Sequence, residues 1–444
     1  MNRSGIAMRI LSRGVSNLQK VIPSGLLRTS RGVALGSVTS SAVGQVFMLA
    51  ASIVVARHHT AENIAIFGIF FSIFNVYIVS SSFRLEQAIL YSRSIGDSFA
   101  CANVAFNSSL IFSFFITASS IIYFQFANFT TDISITVSIM LSISVFCASA
   151  SRIAVNLLIR LKFFYSSTIY SFSRPTYISA LQIFTAFFPS KYFSLPGGFV
   201  LSQILLLLSM IVIMGRRLAR IVFRRASGGT WGRVLKYRDF ALYGLPQNLV
   251  FVVSESVIPL SLAVLFPASN GVALYWLAAR IVFSPVTIFA ESLRPLIYRE
   301  VARSSGRMAD VSAKYAAAFL VVIGSPVLAI SVVGGGVFGF VFGPEWTGAA
   351  SYAVPLGLTA ELNAASMPLV GSIPIIGIQR EYLMFEIFGL MARALVLFLP
   401  HWKSPLEGVI WTSSVYGLLQ IAFFLSVFVH LKRVDLKERS PACV

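Results

Sequence analysis

The sequence predicts an all-α integral membrane protein, with twelve transmembrane helices in two six-helix bundles around a central cavity. Three observations carry this prediction. The 444 residues are 57% hydrophobic and 11% charged, whereas soluble domains carry about 25% charged residues, and mean hydropathy is +0.82. Apolar segments of spanning length follow one another along the chain. At the midpoint lies a basic block, Gly215–Tyr237, in which Arg216, Arg217, Arg220, Arg224, Arg225, Arg233 and Lys236 face no acidic residue. A basic block between hydrophobic spans marks a cytoplasmic loop, and Ser227-Gly228-Gly229 gives it a flexible joint.

Taken in order, residues 1–32 hold Arg3, Arg9, Arg13, Lys20, Arg28 and Arg31 and no acid. Ile10, Leu11, Val15, Leu18 and Ile22 recur at helical spacing, which suits a segment lying on the membrane surface. The apolar run that follows is too long for a signal-peptide core and lacks a clear small-residue exit. Spans of roughly 20 residues are expected near 33–56, 64–83, 102–124, 133–151, 166–188 and 195–214, which form a first lobe of residues 33–214. After a linker at 215–239, further spans are expected near 240–265, 271–293, 315–342, 350–371, 382–399 and 406–430. These make a second lobe of residues 240–430 and leave a cytoplasmic tail at 431–444.

Charge orients this scheme. With the N-terminus inside, 29 of the 35 Lys and Arg fall in cytoplasmic segments, and only Arg57, Lys191 and Lys403 fall in outer loops. Both termini are therefore expected in the cytoplasm. The net charge of +19 is accounted for by the anionic inner leaflet, where a basic residue gains about 1 kcal/mol. No nucleic-acid partner is implied. Every outer loop is short, so no external catalytic domain is expected and the chain does not read as an enzyme.

Several motifs are missing from the sequence. There is no Walker A, H-E-x-x-H or G-x-S-x-G sequence, so nothing suggests a P-loop nucleotide site, a cofactor or a primary pump. Gly334-Gly335-Gly336 lies within a span, where a close helix crossing fits better than a phosphate loop. Cys101, Cys147 and Cys443 are far apart and odd in number, giving neither a disulfide framework nor a zinc site. His58-His59 lacks accompanying ligands, so no metal is expected. A faint repeat relates the lobes: Gly44-Gln45 with Ser52 seven residues after the Gln, and Pro246-Gln247 with Ser254 at the same interval. Seven residues is about two helical turns, so each pair shares a polar face.

The informative residues are charges inside the spans. A mid-bilayer Arg or carboxylate costs on the order of 3 kcal/mol on insertion scales and normally faces water, a partner or a ligand. Arg174, Arg280 and Arg393 are the basic residues placed within spans; Glu255, Glu291, Glu361 and Glu386 are acidic. Arg280, Glu291 and Arg294 share one helix face. A structural salt bridge between Arg393 and Glu386, seven apart on one helix face, is the competing reading for that arginine. Arg174 has no acid in its own span. The set favours a polar cavity between the lobes, and arginines suit a phosphate or carboxylate ligand because guanidinium binds such groups in two-pronged fashion.

Several phrases resemble the polysaccharide exporters and O-antigen flippases of the MOP (multidrug/oligosaccharidyl-lipid/polysaccharide) superfamily. Tyr237-Arg238-Asp239-Phe240 leads through Tyr243-Gly244-Leu245-Pro246-Gln247-Asn248 into the second lobe. Gly271 to Tyr275, Ala278-Ala279-Arg280 and Pro285 are similar to the family's G-x-Y-x-x-A-x-R … P. Phe342-Gly343-Pro344-Glu345-Trp346 with Ala349 looks like its F-G-x-x-W-x-x-A. Ala56-Arg57 and Arg84-Leu85-Glu86-Gln87-Ala88-Ile89 look like its A-R and R-Y-E-x-A-I stretches. Ala65 stands where the family's glycine is expected.

The resemblance implies two bundles forming a V-shaped cavity in a bacterial inner membrane, and translocation of an undecaprenyl-pyrophosphate-linked oligosaccharide by alternating access. Partners would be that lipid-linked substrate, membrane lipids, and polysaccharide-assembly proteins such as a polymerase or chain-length regulator. Substrate-facing candidates are Arg174, Arg280, Arg393, Gln45, Gln247 and Asn248; ion-coupling candidates are Glu255, Glu291 and Glu361. For Arg280 the motif is equally compatible with a structural role in the second lobe. The alternative function is an ion-coupled drug antiporter of the same superfamily fold.

The charge split makes a direct prediction. Single cysteines introduced in the 215–239 linker should stay unlabelled by an impermeant thiol reagent in intact cells and label after permeabilisation. Labelling from outside would overturn the orientation.

Overall fold

A computed structural model describes residues 30–126, 131–161, 163, 165–188, 194–222, 228–238, 240–267, 270–304, 306–376, 378–399 and 402–439. Among these residues there is no β-strand. The helices are α1 (Ser30–His58), α2 (Ala61–Ser80), α3 (Leu85–Tyr91), α4 (Ile95–Phe126), α5 (Thr131–Arg160), α6 (Tyr165–Phe187) and α7 (Leu195–Val222). They continue as α8 (Gly228–Val234), α9 (Leu245–Leu265), α10 (Gly271–Arg303), α11 (Met308–Phe319), α12 (Ser325–Phe342), α13 (Ala349–Ile376), α14 (Gln379–Phe398) and α15 (Pro405–Arg439). Each of the twelve expected spans coincides with one long helix; the ninth is α12 together with the end of α11.

By length and composition, six helical stretches among the described residues are apolar enough to cross a membrane: Ala61–Ser80, Ile95–Phe126, Ser134–Arg160, Leu195–Gly215, Phe240–Leu265 and Pro405–Leu436. The outer surface agrees with that reading. Phe114, Phe115, Ile122, Val212, Phe340, Leu395 and Leu418 are exposed, an arrangement that water penalises and lipid does not. Several buried serines are satisfied locally. Ser72, Ser120, Ser144 and Ser151 each donate to the carbonyl four residues earlier, as a helix without water requires.

Helix ends follow local chemistry. The Thr60 side chain accepts from the Asn63 N–H and caps α2. Two π-turns, Phe240–Gly244 and Leu320–Gly324, precede the sequences Gly244-Leu245-Pro246 and Gly324-Ser325-Pro326. In each case the proline lacks the N–H that would bond back into the preceding turn, so the ladder widens there. Phe83 and Arg84 adopt φ of 51° and 56°, a left-handed turn that costs a side-chain-bearing residue about 1–2 kcal/mol.

Several helices extend beyond the apolar stretch. α5 carries Arg152 and Arg160 on its continuation, and the expected linker is largely helical: α7 breaks at Gly215 (φ 76°), a second helical segment follows to Val222, and α8 starts at Gly228. Hydropathy sees only the apolar part of a helix, whereas the backbone ladder propagates past it. Residues 1–29, 223–227 and 440–444, which include the surface-helix expectation and Cys443, lie outside the described residues.

Packing falls into two groups. α1 lies against α6, α4 against α5, and α5 and α6 against α7; α10, α11, α12 and α15 lie against α13, and α14 against α9 and α15. Between the groups, α2 packs on α9, and α10 packs on α1 and α2. An aromatic cluster sits at this seam. Phe67, Phe70, Phe71 and Phe74 surround Phe199, the Phe74–Phe199 centroids being 4.9 Å apart, and Phe67 meets Trp276 edge-on at 5.2 Å. A Cβ on Gly68 would stand 3.0 Å from the Trp276 ring, so glycine is what lets the indole nest on α2.

Asp435, near the end of α15, accepts from the Met308 and Ala309 N–H groups at 2.9 and 2.8 Å. A buried carboxylate thus closes the start of α11, where unpaired N–H groups and the helix dipole favour negative charge. Replacing it by alanine should destabilise the protein by about 1–2 kcal/mol, read as a lower Tm of the purified protein in detergent. An unchanged Tm would show that water replaces the cap.

Candidate functional site

Several of the polar residues expected to line a cavity fall into two clusters. The first involves α1, α6 and α10. Arg280 reaches from α10 across the seam, donating to the Met48 carbonyl at 3.2 Å and the Gln182 Oε1 at 3.0 Å, with its guanidinium 5.0 Å from the Trp276 ring centre. The Met48 carbonyl also accepts from Ser52 Oγ at 2.7 Å. Arg280 is therefore satisfied by neutral dipoles and an aromatic face, with no carboxylate pairing among the described residues.

Arg174 lies on α6 eight residues before Gln182, about 12 Å along the helix axis. It is half-buried, and no hydrogen bond or ion pair holds its guanidinium among the described residues. Next to it, Pro175 packs against Gly44, which has no room for a Cβ there. This contact sets α1 close to α6 and places Gln45 beside it. Gln45 is half-buried with its Oε1 enclosed and unpartnered. The structure thus joins Gln182 to Arg280 across the seam and sets Gln45 and Arg174 beside the Gly44–Pro175 contact between α1 and α6.

The second cluster lies among α9, α14 and α15. Arg393 forms an ion pair with Glu255 at 3.1 Å, donates to the Ser254 carbonyl at 2.6 Å and the Ser254 hydroxyl at 3.0 Å, and lies 3.3 Å over the Tyr416 ring. This corrects the same-helix pairing, because the partner of Arg393 is Glu255 on α9 and not Glu386 on its own helix. The arginine is long enough to cross to α9, where a carbonyl, a hydroxyl and a carboxylate converge. A same-helix partner two turns away offers only the carboxylate. Glu386 is buried beside it with Oε2 unpartnered, near Tyr382 and Tyr416. Gln420, one turn beyond Tyr416, donates to Asn363 Oδ1. Glu255 keeps 34% of its side chain exposed, so the pair has one dry and one open side.

The remaining candidates are separate. Gln247 and Asn248 are half-buried in the first turn of α9. Glu361, on α13, is half-buried with its stem against Gly324, where a Cβ would come within 2.6 Å of Glu361 Cγ. The side chains of Glu291 and Arg294 lie outside the described residues. His59, in the turn after α1, is held below the ordinary imidazole value by burial and then by neighbouring His58. Among the described residues no group of three or more His, Cys, Asp and Glu is placed to hold a metal.

Gln182, Trp276 and Tyr416 were not foreseen from the sequence. Trp276 and Arg280 are four apart on α10, as are Tyr416 and Gln420 on α15, and each pair places an aromatic and a polar group on one helix face. Nothing in the local sequence marks Gln182.

Arg393 tests the second cluster. Arg393→Ala leaves two carboxylates without their cation and should cost about 3 kcal/mol or more, whereas Glu255→Gln should cost less because Glu255 is partly open to solvent and Arg393 keeps Ser254. Thermal unfolding of the two variants gives the order. Equal stability of Arg393→Ala and the parent would remove the pair from any structural role.

No known family pattern matches the sequence, and no curated protein matches it. Solved structures do. An inward-facing multidrug resistance MATE family transporter of the MOP superfamily superposes with a TM-score of 0.64 at 16% identity, over 92% of this chain and 100% of that one. The inward closed conformation of the lipid II flippase MurJ gives 0.67 at 13% identity, over 90% of both chains. A MOP superfamily transporter from Pyrococcus furiosus, described as having a binding pocket of reversed polarity, gives 0.57 at 14% identity over 90% of this chain and 95% of that one. The chain is a multi-pass, all-helical protein with the fold shared by MATE and MurJ transporters of the MOP superfamily.

Proposed function

We propose that the protein is a transporter that flips an undecaprenyl-pyrophosphate-linked oligosaccharide repeat unit across the bacterial inner membrane for surface polysaccharide synthesis, by alternating access between two lobes. The observation that carries this reading is the first cluster. Arg280 brings positive charge to the seam and Arg174 lies on α6, the helix whose Gln182 receives it, with no carboxylate paired to either among the described residues, and uncompensated guanidinium inside a bilayer is stabilised by an anionic ligand. Arg280 is already engaged by Met48 and Gln182 and tunes the field; Arg174, with no partner among the described residues, is the group that grips a pyrophosphate. Gln45, half-buried, offers an amide contact to a sugar hydroxyl, whereas the buried Gln182 holds Arg280.

An ion-coupled drug antiporter is the second reading, and one feature favours it. Glu255 keeps an open side next to Arg393, which suits a cationic solute or a coupling ion.

The two readings differ in their tests. A clean deletion should trap lipid-linked repeat units on the inner face and deplete surface polysaccharide, with no change in drug susceptibility. Arg174→Ala should abolish complementation at normal protein level, and Arg174→Lys should restore it only in part, because lysine keeps the charge and loses the two-pronged geometry. Full complementation by Arg174→Ala removes that residue from the site. Normal polysaccharide with raised drug sensitivity in the deletion strain selects the antiporter.

A further inference from the structure

At one end of the bundle the two groups of helices hold each other by their helix ends. Arg57, at the C-terminal end of α1, donates from Nε to the Val341 carbonyl and from Nη2 to the Phe340 carbonyl, both at 2.9 Å. Trp346 donates in the opposite direction, from its indole Nε1 to the Ala56 carbonyl at 2.8 Å. All three acceptors lie in the last turn of a helix, α1 or α12, where carbonyls have no partner further along the chain. Each group therefore supplies the cap that the other group's helix lacks, and the Arg57 charge lies at the negative end of the α12 dipole.

The connection after α12 is shaped to deliver Trp346. Gly343 adopts φ 119°, which a residue with a side chain strongly resists, and turns the chain from α12 into the short turn Pro344–Trp346. Trp346 is 1% exposed and packs in the core shared with Val55, Ala56, Phe338 and Phe342. Arg57, by contrast, is exposed. When the groups part, water replaces the carbonyls on Arg57 and the guanidinium on α12, so these bonds are exchanged and not lost. The α2–α9 seam is built differently. It is tied by Arg84 Nη1 to the Gly244 carbonyl at 2.6 Å at one end and by Ser256 Oγ to the Ser72 carbonyl at 3.3 Å midway.

We propose that Arg57 and Trp346 form a two-way latch that holds the lobes closed at this end and must release for the protein to open there, the α2–α9 seam staying joined. The inference rests on the alternating-access reading above but not on its substrate. It makes Arg57 and Trp346 positioning residues that set which state of the transporter is populated.

The test measures lobe separation directly in the full-length protein in lipid nanodiscs, without substrate. Cysteines replace Glu62 in the first turn of α2 and Ser351 in the first turn of α13, both exposed, in a background where Cys101, Cys147 and Cys443 are alanine. They carry spin labels for pulsed distance measurement. The parent should show one short distance. Arg57→Gln should raise a longer-distance population by about fivefold or more, the size expected from one hydrogen bond, and Arg57→Gln with Trp346→Phe should raise it further. Arg57→Lys should lie between the parent and Arg57→Gln. Arg57→Gln alters an exposed side chain and leaves the core intact, so it reports even if the Trp346 variant does not fold. Unchanged distances in folded Arg57→Gln overturn the latch, whatever happens to export. Shifted distances alongside normal polysaccharide in the deletion strain keep the latch and reject the oligosaccharide.

Discussion

The structure turns on how a charged side chain is satisfied where water is scarce. Arg280 leaves α10 and finds its partners on α1 and α6, in the other group of helices. No carboxylate neutralises it among the described residues, so its field remains while its hydrogen bonds are met by neutral acceptors. Desolvating a guanidinium costs far more than a neutral donor, and the fold responds by fastening two bundles together at that point. The Trp276 ring, seated against Gly68, shields the same arginine from the other side. Charge, aromatic packing and helix proximity at the seam are thus one arrangement, and moving any element of it disturbs the others.

The same economy of donors explains why the phrases that resemble polysaccharide exporters are scattered through the chain. In space they meet in pairs. Ala56-Arg57 meets the turn that carries Phe342 to Trp346, Arg84 meets Gly244, and the arginine of Ala278-Ala279-Arg280 meets Met48. Each pairing crosses between the two groups of helices, and in each a side chain donates to a backbone carbonyl. Backbone acceptors exist at every residue, so such contacts constrain the donor and the local turn, and leave the acceptor's identity free. Met48, which only lends a carbonyl, accordingly lies outside these phrases, whereas both partners of the other two pairs lie within them.

The second cluster obeys a different rule. Arg393 is buried with a carboxylate, a hydroxyl, a carbonyl and an aromatic ring around it, and removing one member of such a set leaves an uncompensated buried charge. Its geometry ties α9 to α14 and α15. Glu255 keeps part of its side chain open, whereas Arg393 is closed off by its partners.

Composition, hydropathy and the placement of Lys and Arg were enough to give an all-helical membrane chain of twelve spans, because each of those quantities is a sum over local sequence. The intramembrane charges were legible too, since a charge in an apolar run is conspicuous wherever it points. Their partners were not. Periodicity relates residues on one helix, so it offered Glu386 to Arg393, whereas the side chain crosses to Glu255 on another helix. Gln182, which receives Arg280, sits in a stretch with no motif at all. The left-handed turn at Phe83-Arg84 and the latch between α1 and α12 likewise depend on how two distant segments approach. Periodicity and composition cannot encode that approach, because it is set by which helix faces find each other when the bundle packs.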